Sequence, residues 1–181
     1  MTFLVENARA VLVVQMKNEI ILALDQSTQI TGWSIFKDGE LYNYGKFNPS
    51  GELMERIIKL RDWVKDTIVA EDIAFVGIED IQLQQIPGTK RDVNVATFKK
   101  LAYAQAILVE LCMDLGVEYE IVPSTRWKSY LEIKGAKRTE QKRNAQQYIT
   151  EHYGVTPTQD ECDAICIGLY LTRNKNVLDW T

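Results

Sequence analysis

Two apolar runs that each end in a carboxylate limit this chain to a small set of folds. Residues 20–24 and 73–78 are continuously apolar, a pattern typical of strands that are buried on both faces of a sheet. Asp25 follows the first run and Glu79 ends the second. Sheets with such strands are covered by helices on both faces. The pattern therefore predicts an α/β fold with two acids at strand ends.

Turn signals and helical spacing predict the order of the remaining elements. The Asp38-Gly39 pair lies between two further strand patterns and predicts a hairpin. In chain order, we predict strands over 32–36 and 41–47, helices over 53–68 and 98–115, a strand over 117–122, and helices from 139 and from 158. Three N-terminal strands followed by alternating helices and strands predict a five-stranded mixed sheet with helices on both faces.

The bulk properties predict one globular domain. The chain has 181 residues, enough for a single sizeable core, and we expect residues 1–15 to be an N-terminal extension of unknown role and 16–181 to be the domain. No segment approaches the ~18 consecutive apolar residues of a membrane span, so no membrane association is predicted. Cys112, Cys162 and Cys166 lack a disulfide or zinc pattern, which predicts buried thiols in a reducing compartment, the cytoplasm.

Four acidic residues are candidates for one metal site. Asp25 and Glu79 end strands that a right-handed crossover would place side by side, about 4.8 Å apart. Asp160 and Asp163 share one face of the last predicted helix, which is otherwise apolar. Each acid alone has a structural alternative, such as a turn cap or a favourable helix N-terminus. Together, crowded or buried carboxylates are costly unless cations neutralise them, and their oxygens favour Mg²⁺ or Mn²⁺ over zinc.

Basic residues are concentrated in one segment of an acidic chain. The net charge of −4 does not indicate a nucleic-acid partner, but residues 126–143 contain seven Lys or Arg against two Glu, a balance of +5 that leaves −9 elsewhere. Such a segment is either a phosphate-binding face or a solvated helix surface. Trp127 and Tyr130 lie within it, where they could stack on bases or pack in the core. The candidate phosphate ligands are Arg126, Lys128, Lys137, Arg138, Lys142 and Arg143.

The order of these motifs resembles that of the RuvC-type Holliday junction resolvases, in the RNase H-like superfamily. Residues 21–35, with Asp25 and a Thr-Gly-aromatic turn into the next strand, look like the first motif of that family. Val-Gly-Ile-Glu at 76–79 looks like the second, 122–128 and 138–142 look like the basic segment, and Asp-Glu-Cys-Asp-Ala at 160–164 is similar to the final motif.

This resemblance implies an RNase H-like fold, a homodimer, and symmetric nicking of four-way DNA junctions that leaves 5′-phosphate and 3′-hydroxyl ends. It also implies two Mg²⁺ ions per site, replaceable by Mn²⁺, held by the catalytic acids Asp25, Glu79, Asp160 and Asp163. Family members often carry an aromatic residue shortly after the Glu, and residues 80–85 contain none. That departure favours a more tolerant nuclease for branched DNA, similar to phage-type members.

Three other functions match parts of the sequence. A nuclease of the same fold that acts on structured RNA has the same acids, and so does a module that binds junctions without cutting them. Residues 23–28 also resemble the first phosphate loop of actin-like kinases. Those enzymes need a second domain and later glycine-rich motifs, which this sequence does not supply.

Overall fold

The fold consists of a sheet of five strands with five helices among the described residues. A computed structural model describes residues 19–83 and 94–178, with side chains up to residue 174, so the expected extension over 1–15 lies outside them. In chain order, the elements are β1 Ile20–Asp25, β2 Thr31–Lys37, β3 Glu40–Phe47, α1 Leu53–Glu71, β4 Phe75–Glu79, α2 Val95–Leu115, β5 Glu118–Val122, α3 Ser124–Tyr130, α4 Arg138–Tyr153 and α5 Gln159–Leu178.

The sheet is mixed, as the sequence predicts, with the strand order β3-β2-β1-β4-β5. β1, β2 and β3 form an antiparallel meander, and β4 and β5 run parallel to β1. The β2–β3 hairpin turns through Asp38 and Gly39, whose φ angles of 54° and 83° are those that a tight hairpin requires. The crossover through α1 makes β1 and β4 direct neighbours, so the predicted pairing of the two acid-bearing strands is confirmed.

Helices cover both faces of the sheet, and each face has its own core. Side chains alternate along β1, so that Leu22 and Leu24 pack with α1 and α2, whereas Ile21 and Ala23 pack on the opposite side. That opposite side is covered by α3, α4 and above all α5, which is buried almost continuously from Cys162 to Thr172. The predicted arrangement of helices on both faces is confirmed.

Most predicted boundaries agree with the structure, with two differences. β4 begins at Phe75, two residues later than the apolar run, and the short helix α3 was not predicted. Gly116 and Gly154 end α2 and α4 in the left-handed conformation, as expected of glycines after a helix. None of the helices in the described part of the chain is long and apolar enough to cross a membrane. The three cysteines are buried free thiols, as predicted.

Candidate metal centre

The first two acids of the candidate site stand side by side at one edge of the sheet. Leu24 and Ile78 are partners in the parallel ladder, so Asp25 and Glu79, one residue further on, end adjacent strands. Burial raises the pKa of Asp25, and the adjacent Glu79 carboxyl group raises it further, first through its charge and then through a side-chain hydrogen bond. The carboxyl edge of a parallel pair therefore carries two acids in direct contact, as the sequence predicts.

The N-terminus of α5 brings the other two acids to the same edge. Gly32 lies opposite Asp25 in the β1–β2 ladder, and a Cβ at Gly32 would overlap the main-chain carbonyl of Asp160. Farther along the helix, the hydroxyl of Ser34 donates to the carbonyl oxygen of Ala164 at 2.8 Å. Because β2 and α5 touch through main-chain atoms, the first turn of α5 is held directly beside the end of β1.

The electrostatics of the site show that these acids act on one another. Loss of hydration raises the pKa of Asp25 well above its ordinary value, and the charges of Glu79, Asp163 and Asp160 raise it further. Burial and then the charge of Glu79 raise the pKa of Asp163 to about 6, although the ammonium groups of Lys142 and Lys128 act in the opposite direction. The structure thus brings together all four acids and two of the predicted basic residues.

Two glutamines that the sequence analysis missed also belong to this edge. Gln26 and Gln105 both donate from Nε2 to the main-chain carbonyl oxygen of Glu79, at 2.6 and 3.1 Å. The Gln26 side chain is buried, and its Oε1 atom accepts no hydrogen bond from the described residues. Gln26 follows Asp25 directly, but an amide beside a carboxylate gives no pattern from which a partner 53 residues away could be predicted.

The donor chemistry of this edge suits a hard divalent cation. It offers carboxylate oxygens whose negative charges repel one another, and a buried amide oxygen that accepts no hydrogen bond from the part of the chain that the structure describes. Oxygen ligands of this kind favour Mg²⁺ or Mn²⁺. Within the described residues, however, no three His, Cys, Asp or Glu side chains are already arranged so that they could hold a single ion. The acids converge, therefore, without forming a closed coordination shell.

The side chain of Trp127 provides a further contact that the sequence analysis missed. Trp127 lies on α3, is fully buried, and donates from Nε1 to Oε1 of Glu79 at 3.3 Å. Of the two roles left open for the aromatic residues in the basic segment, Trp127 therefore takes core packing. Tyr130 is 41% exposed and packs edge-on against Tyr170.

The predicted DNA-binding residues occupy different environments around the acids. Lys128 stands over the ring of Trp127, 4.9 Å from its centroid, and Lys142 donates to Gln159 at 3.0 Å, just before Asp160. Arg126 is exposed and forms an ion pair with Glu120 at 3.0 Å. Three more basic side chains are exposed at or near the start of α4, namely Lys137, Arg138 and Arg143. The basic segment thus borders the acidic edge and extends away from it.

The raised pKa of Asp163 predicts a pH-dependent stability. Since its pKa of about 6 in the folded protein exceeds the ordinary 3.8, its contribution to stability is fully present below 3.8 and lost as the pH rises through 6. Without divalent metal, we expect the Tm of the wild type to fall by about 3–6 °C relative to the Tm of Asp163→Asn when the pH rises from about 5 to about 7.5. This shift corresponds to a loss of roughly 1–2 kcal/mol in the free energy of unfolding. Thermal melts in EDTA measure this difference.

Two controls distinguish this effect from a general response to pH. Asp66→Asn alters an exposed acid on α1 and should follow the wild-type curve. Mg²⁺ added at the higher pH should raise the Tm of the wild type more than that of Asp163→Asn. Parallel curves of Tm against pH for the wild type and Asp163→Asn would contradict the prediction that the charged form of Asp163 destabilises the metal-free protein.

Comparisons with known proteins match the architecture rather than the sequence. No protein-family model matches the chain, and no curated protein matches it either. Among solved structures, the RuvC of T. thermophilus in complex with a Holliday junction substrate aligns over 88% of this chain and 96% of its own, with a TM-score of 0.67 and 13% identity.

Two resolvases from other sources align over similar lengths. The yeast mitochondrial Holliday junction resolvase covers 90% of this chain and 81% of its own, with a TM-score of 0.59 and 11% identity. The fowlpox virus resolvase, solved with Holliday junction DNA, covers 86% and 98%, with a TM-score of 0.52 and 14% identity. By its architecture, this chain therefore has the RNase H-like fold of the RuvC-type Holliday junction resolvases.

Proposed function

We propose that this protein is a divalent-metal-dependent endonuclease that nicks four-way junctions or related branched DNA. The observation that carries the proposal is the convergence of Asp25, Glu79, Asp160 and Asp163 at one edge of the sheet, where burial and then the neighbouring acidic charges raise the pKa values of Asp25 and Asp163. Support also comes from the fold, because two of the similar structures are resolvases solved with Holliday junction DNA.

The four acids would hold two Mg²⁺ ions, for which Mn²⁺ could substitute. Bound there, such ions supply activation of the attacking water and stabilisation of the leaving 3′ oxygen. We expect the carboxylates to rotate towards the ions, since the main chains that carry them are fixed by the β1–β4 ladder and by the contact between Gly32 and α5. Asp25 and Glu79 offer oxygens from the sheet, and Asp160 and Asp163 offer them from the helix.

The reaction proposed is hydrolysis of one phosphodiester bond. The oxygen of a water molecule forms a bond to phosphorus, the bond from phosphorus to the 3′ oxygen breaks, and that oxygen takes up a proton. The products are a 5′-phosphate and a 3′-hydroxyl. The ammonium groups of Lys142 and Lys128 lie near enough to Asp163 to offset part of the rise in its pKa that burial and Glu79 cause, so that one of them can neutralise charge that develops on the phosphoryl oxygens.

The exposed basic residues would bind the backbone of the DNA. Lys137, Arg138 and Arg143 are exposed at or near the start of α4, and on α3 Arg126 is exposed while Lys128 is half-buried. Contacts of this type give affinity and orientation without reading sequence. We further propose a homodimer, because two copies would present two acidic edges and make the two symmetric nicks that resolve a junction. The free buried thiols are consistent with a cytoplasmic location.

A panel of labelled nucleic acids tests the proposed activity. The panel contains duplex, forked, three-way and four-way DNA together with an RNA–DNA hybrid, each incubated with Mg²⁺, with Mn²⁺ or with EDTA. We expect metal-dependent nicks in the branched DNA, with 5′-phosphate ends, and little cleavage of the duplex. Equal cleavage of all substrates would contradict selectivity for branches, and no cleavage with either metal would contradict the proposed activity.

Reversing the charge of two basic residues should weaken junction binding and flatten its dependence on salt. In a variant with Lys142→Glu and Arg143→Glu, we expect the slope of log K against log salt to decrease by about 2, since each lost phosphate contact contributes about 0.9. Binding is measured in EDTA by fluorescence anisotropy over a series of salt concentrations. The control is a variant with Lys59→Glu and Lys65→Glu on α1, which covers the other face of the sheet. It has the same net charge as the variant with Lys142→Glu and Arg143→Glu. Equal slopes for the two variants would contradict the proposed basic face.

A further inference from the structure

The buried side chain of Trp127 is in direct contact with the carboxylate of Glu79. Its exposure is 0%, and its Nε1 atom lies 3.3 Å from Oε1 of Glu79. The two residues are 48 positions apart in the chain, on α3 and at the end of β4. A buried indole normally requires an acceptor for its N–H group, and here that acceptor is an acid of the candidate metal centre.

The indole is held firmly enough to act as a fixed donor. It belongs to the core that lies between the sheet and α5, and the main-chain carbonyl of Trp127 accepts a hydrogen bond from the N–H of Leu131 at 3.0 Å. The ammonium group of Lys128 stands over the ring. A side chain packed in this way cannot rotate without disrupting its neighbours, so the direction of its N–H group is set by the fold.

A fixed donor to one oxygen restricts the orientations that the Glu79 carboxylate can adopt. Hydrogen bonds to a charged acceptor are stronger than those between neutral groups, and the buried setting strengthens this one further. With Oε1 bound to the indole, Oε2 remains for a cation. Hydrogen-bond partners that orient the ligands of a metal typically change its affinity by about 10–100-fold when they are removed.

We infer that Trp127 is a positioning residue, which orients Glu79 for divalent-metal binding through its indole N–H group. This inference rests on the proposed metal-dependent function and adds a specific role for a residue of the basic segment whose side chain is fully buried. The group that donates to Glu79 must be neutral, because an ammonium group in the same position would compete with the metal ion for the carboxylate.

The test is a comparison of metal affinities by calorimetry, with Mn²⁺ as the probe. Trp127→Phe keeps an aromatic ring but removes the donor, and we expect its Mn²⁺ affinity to be about 10-fold or more below that of the wild type. Benzothienylalanine at position 127 replaces the N–H group by sulfur with almost the same shape, and we expect the same loss. Normal affinity with benzothienylalanine but not with Phe would assign Trp127 to packing alone and overturn the inference.

Tryptophan fluorescence provides a second readout, independent of activity. Metal binding at Glu79 changes the charge beside the indole, so titration with Mg²⁺ should change the emission of the wild type and leave that of Trp127→Phe nearly constant. Trp63→Phe is the control, because Trp63 stacks on Phe47 between α1 and β3 and should leave the metal response intact. An unchanged response in Trp127→Phe would also overturn the inference.

The outcomes separate this inference from the function on which it rests. If the wild type binds Mn²⁺ and nicks junctions while Trp127→Phe binds Mn²⁺ within twofold of the wild type, the positioning role is wrong and the nuclease proposal stands. If the wild type neither binds Mn²⁺ nor nicks any substrate, both fail together.

Discussion

Replacing Asp25 with Asn is expected to reduce junction nicking by about 1,000-fold or more, equivalent to at least ~4 kcal/mol in the activation barrier. Asn has nearly the same shape but lacks the negative charge, so the change removes a proposed metal ligand and leaves the packing of β1 intact. It also removes a carboxyl group whose pKa is raised by burial and then by the charges of Glu79 and Asp163, and the metal-free protein should become slightly more stable. Single-turnover nicking rates with saturating enzyme measure the effect.

Junction binding by the same variant is the essential companion measurement. Asp25→Asn should bind a four-way junction about as tightly as the wild type, because the proposed DNA contacts come from the basic segment rather than from β1. The control is Asp66→Asn, which removes an exposed acid on α1 that is not part of the candidate metal centre. We expect this variant to nick junctions at the rate of the wild type. Nicking by Asp25→Asn at a rate near that of the wild type would remove Asp25 from the catalytic centre.

Replacing Gly32 with Ala is expected to destabilise the fold by about 3 kcal/mol and to weaken metal binding at least tenfold. The added Cβ would overlap the main-chain carbonyl of Asp160, and a main-chain atom at a helix start cannot move without displacing the whole turn. The displaced turn carries Asp160 and Asp163 away from Asp25. Urea denaturation gives the change in stability, and calorimetry with Mn²⁺ gives the change in affinity.

Gly77→Ala is the matched control for this substitution. A Cβ at Gly77 would overlap Cδ1 of Leu171, the far end of a flexible side chain in α5. Both substitutions therefore add one methyl group between the sheet and the same helix. We expect Gly77→Ala to lose stability but to keep the metal affinity of the wild type. Equal affinities for Gly32→Ala and Gly77→Ala would show that the spacing at the start of α5 does not control the site.

The parts of the fold that the sequence predicts are those governed by repeating patterns. Strands buried on both faces have continuous apolar runs. Because Asp25 and Glu79 each come at the end of such a run, their places at the ends of neighbouring strands could be predicted. Asp163 was predictable for a similar reason, because it interrupts a helix that is apolar on nearly every side. Each of these patterns is local in the sequence, and the topology of the mixed sheet brings the residues that they identify close together in space.

The parts that were missed depend on single contacts between distant residues. The helix α3 has only seven residues, too few for a helical period to emerge, so Trp127 could not be placed beside Glu79. The hydrogen bonds from Gln26 and Gln105 to one carbonyl oxygen have no pattern in the chain. Gly32 looked like one residue of a turn motif, and only the close approach of α5 explains why no side chain fits there.

The double role of α5 limits how this protein can be made more heat-resistant. The helix fills the core on one side of the sheet and also carries two of the four acids, so substitutions that repack it will move the ligands as well. Helix α1 carries none of the four acids, and its exposed apolar residues Ile58 and Val69 can be exchanged for polar ones. Laboratory evolution for thermostability that also demands activity should therefore accumulate changes in α1 and leave the interior of α5 nearly untouched.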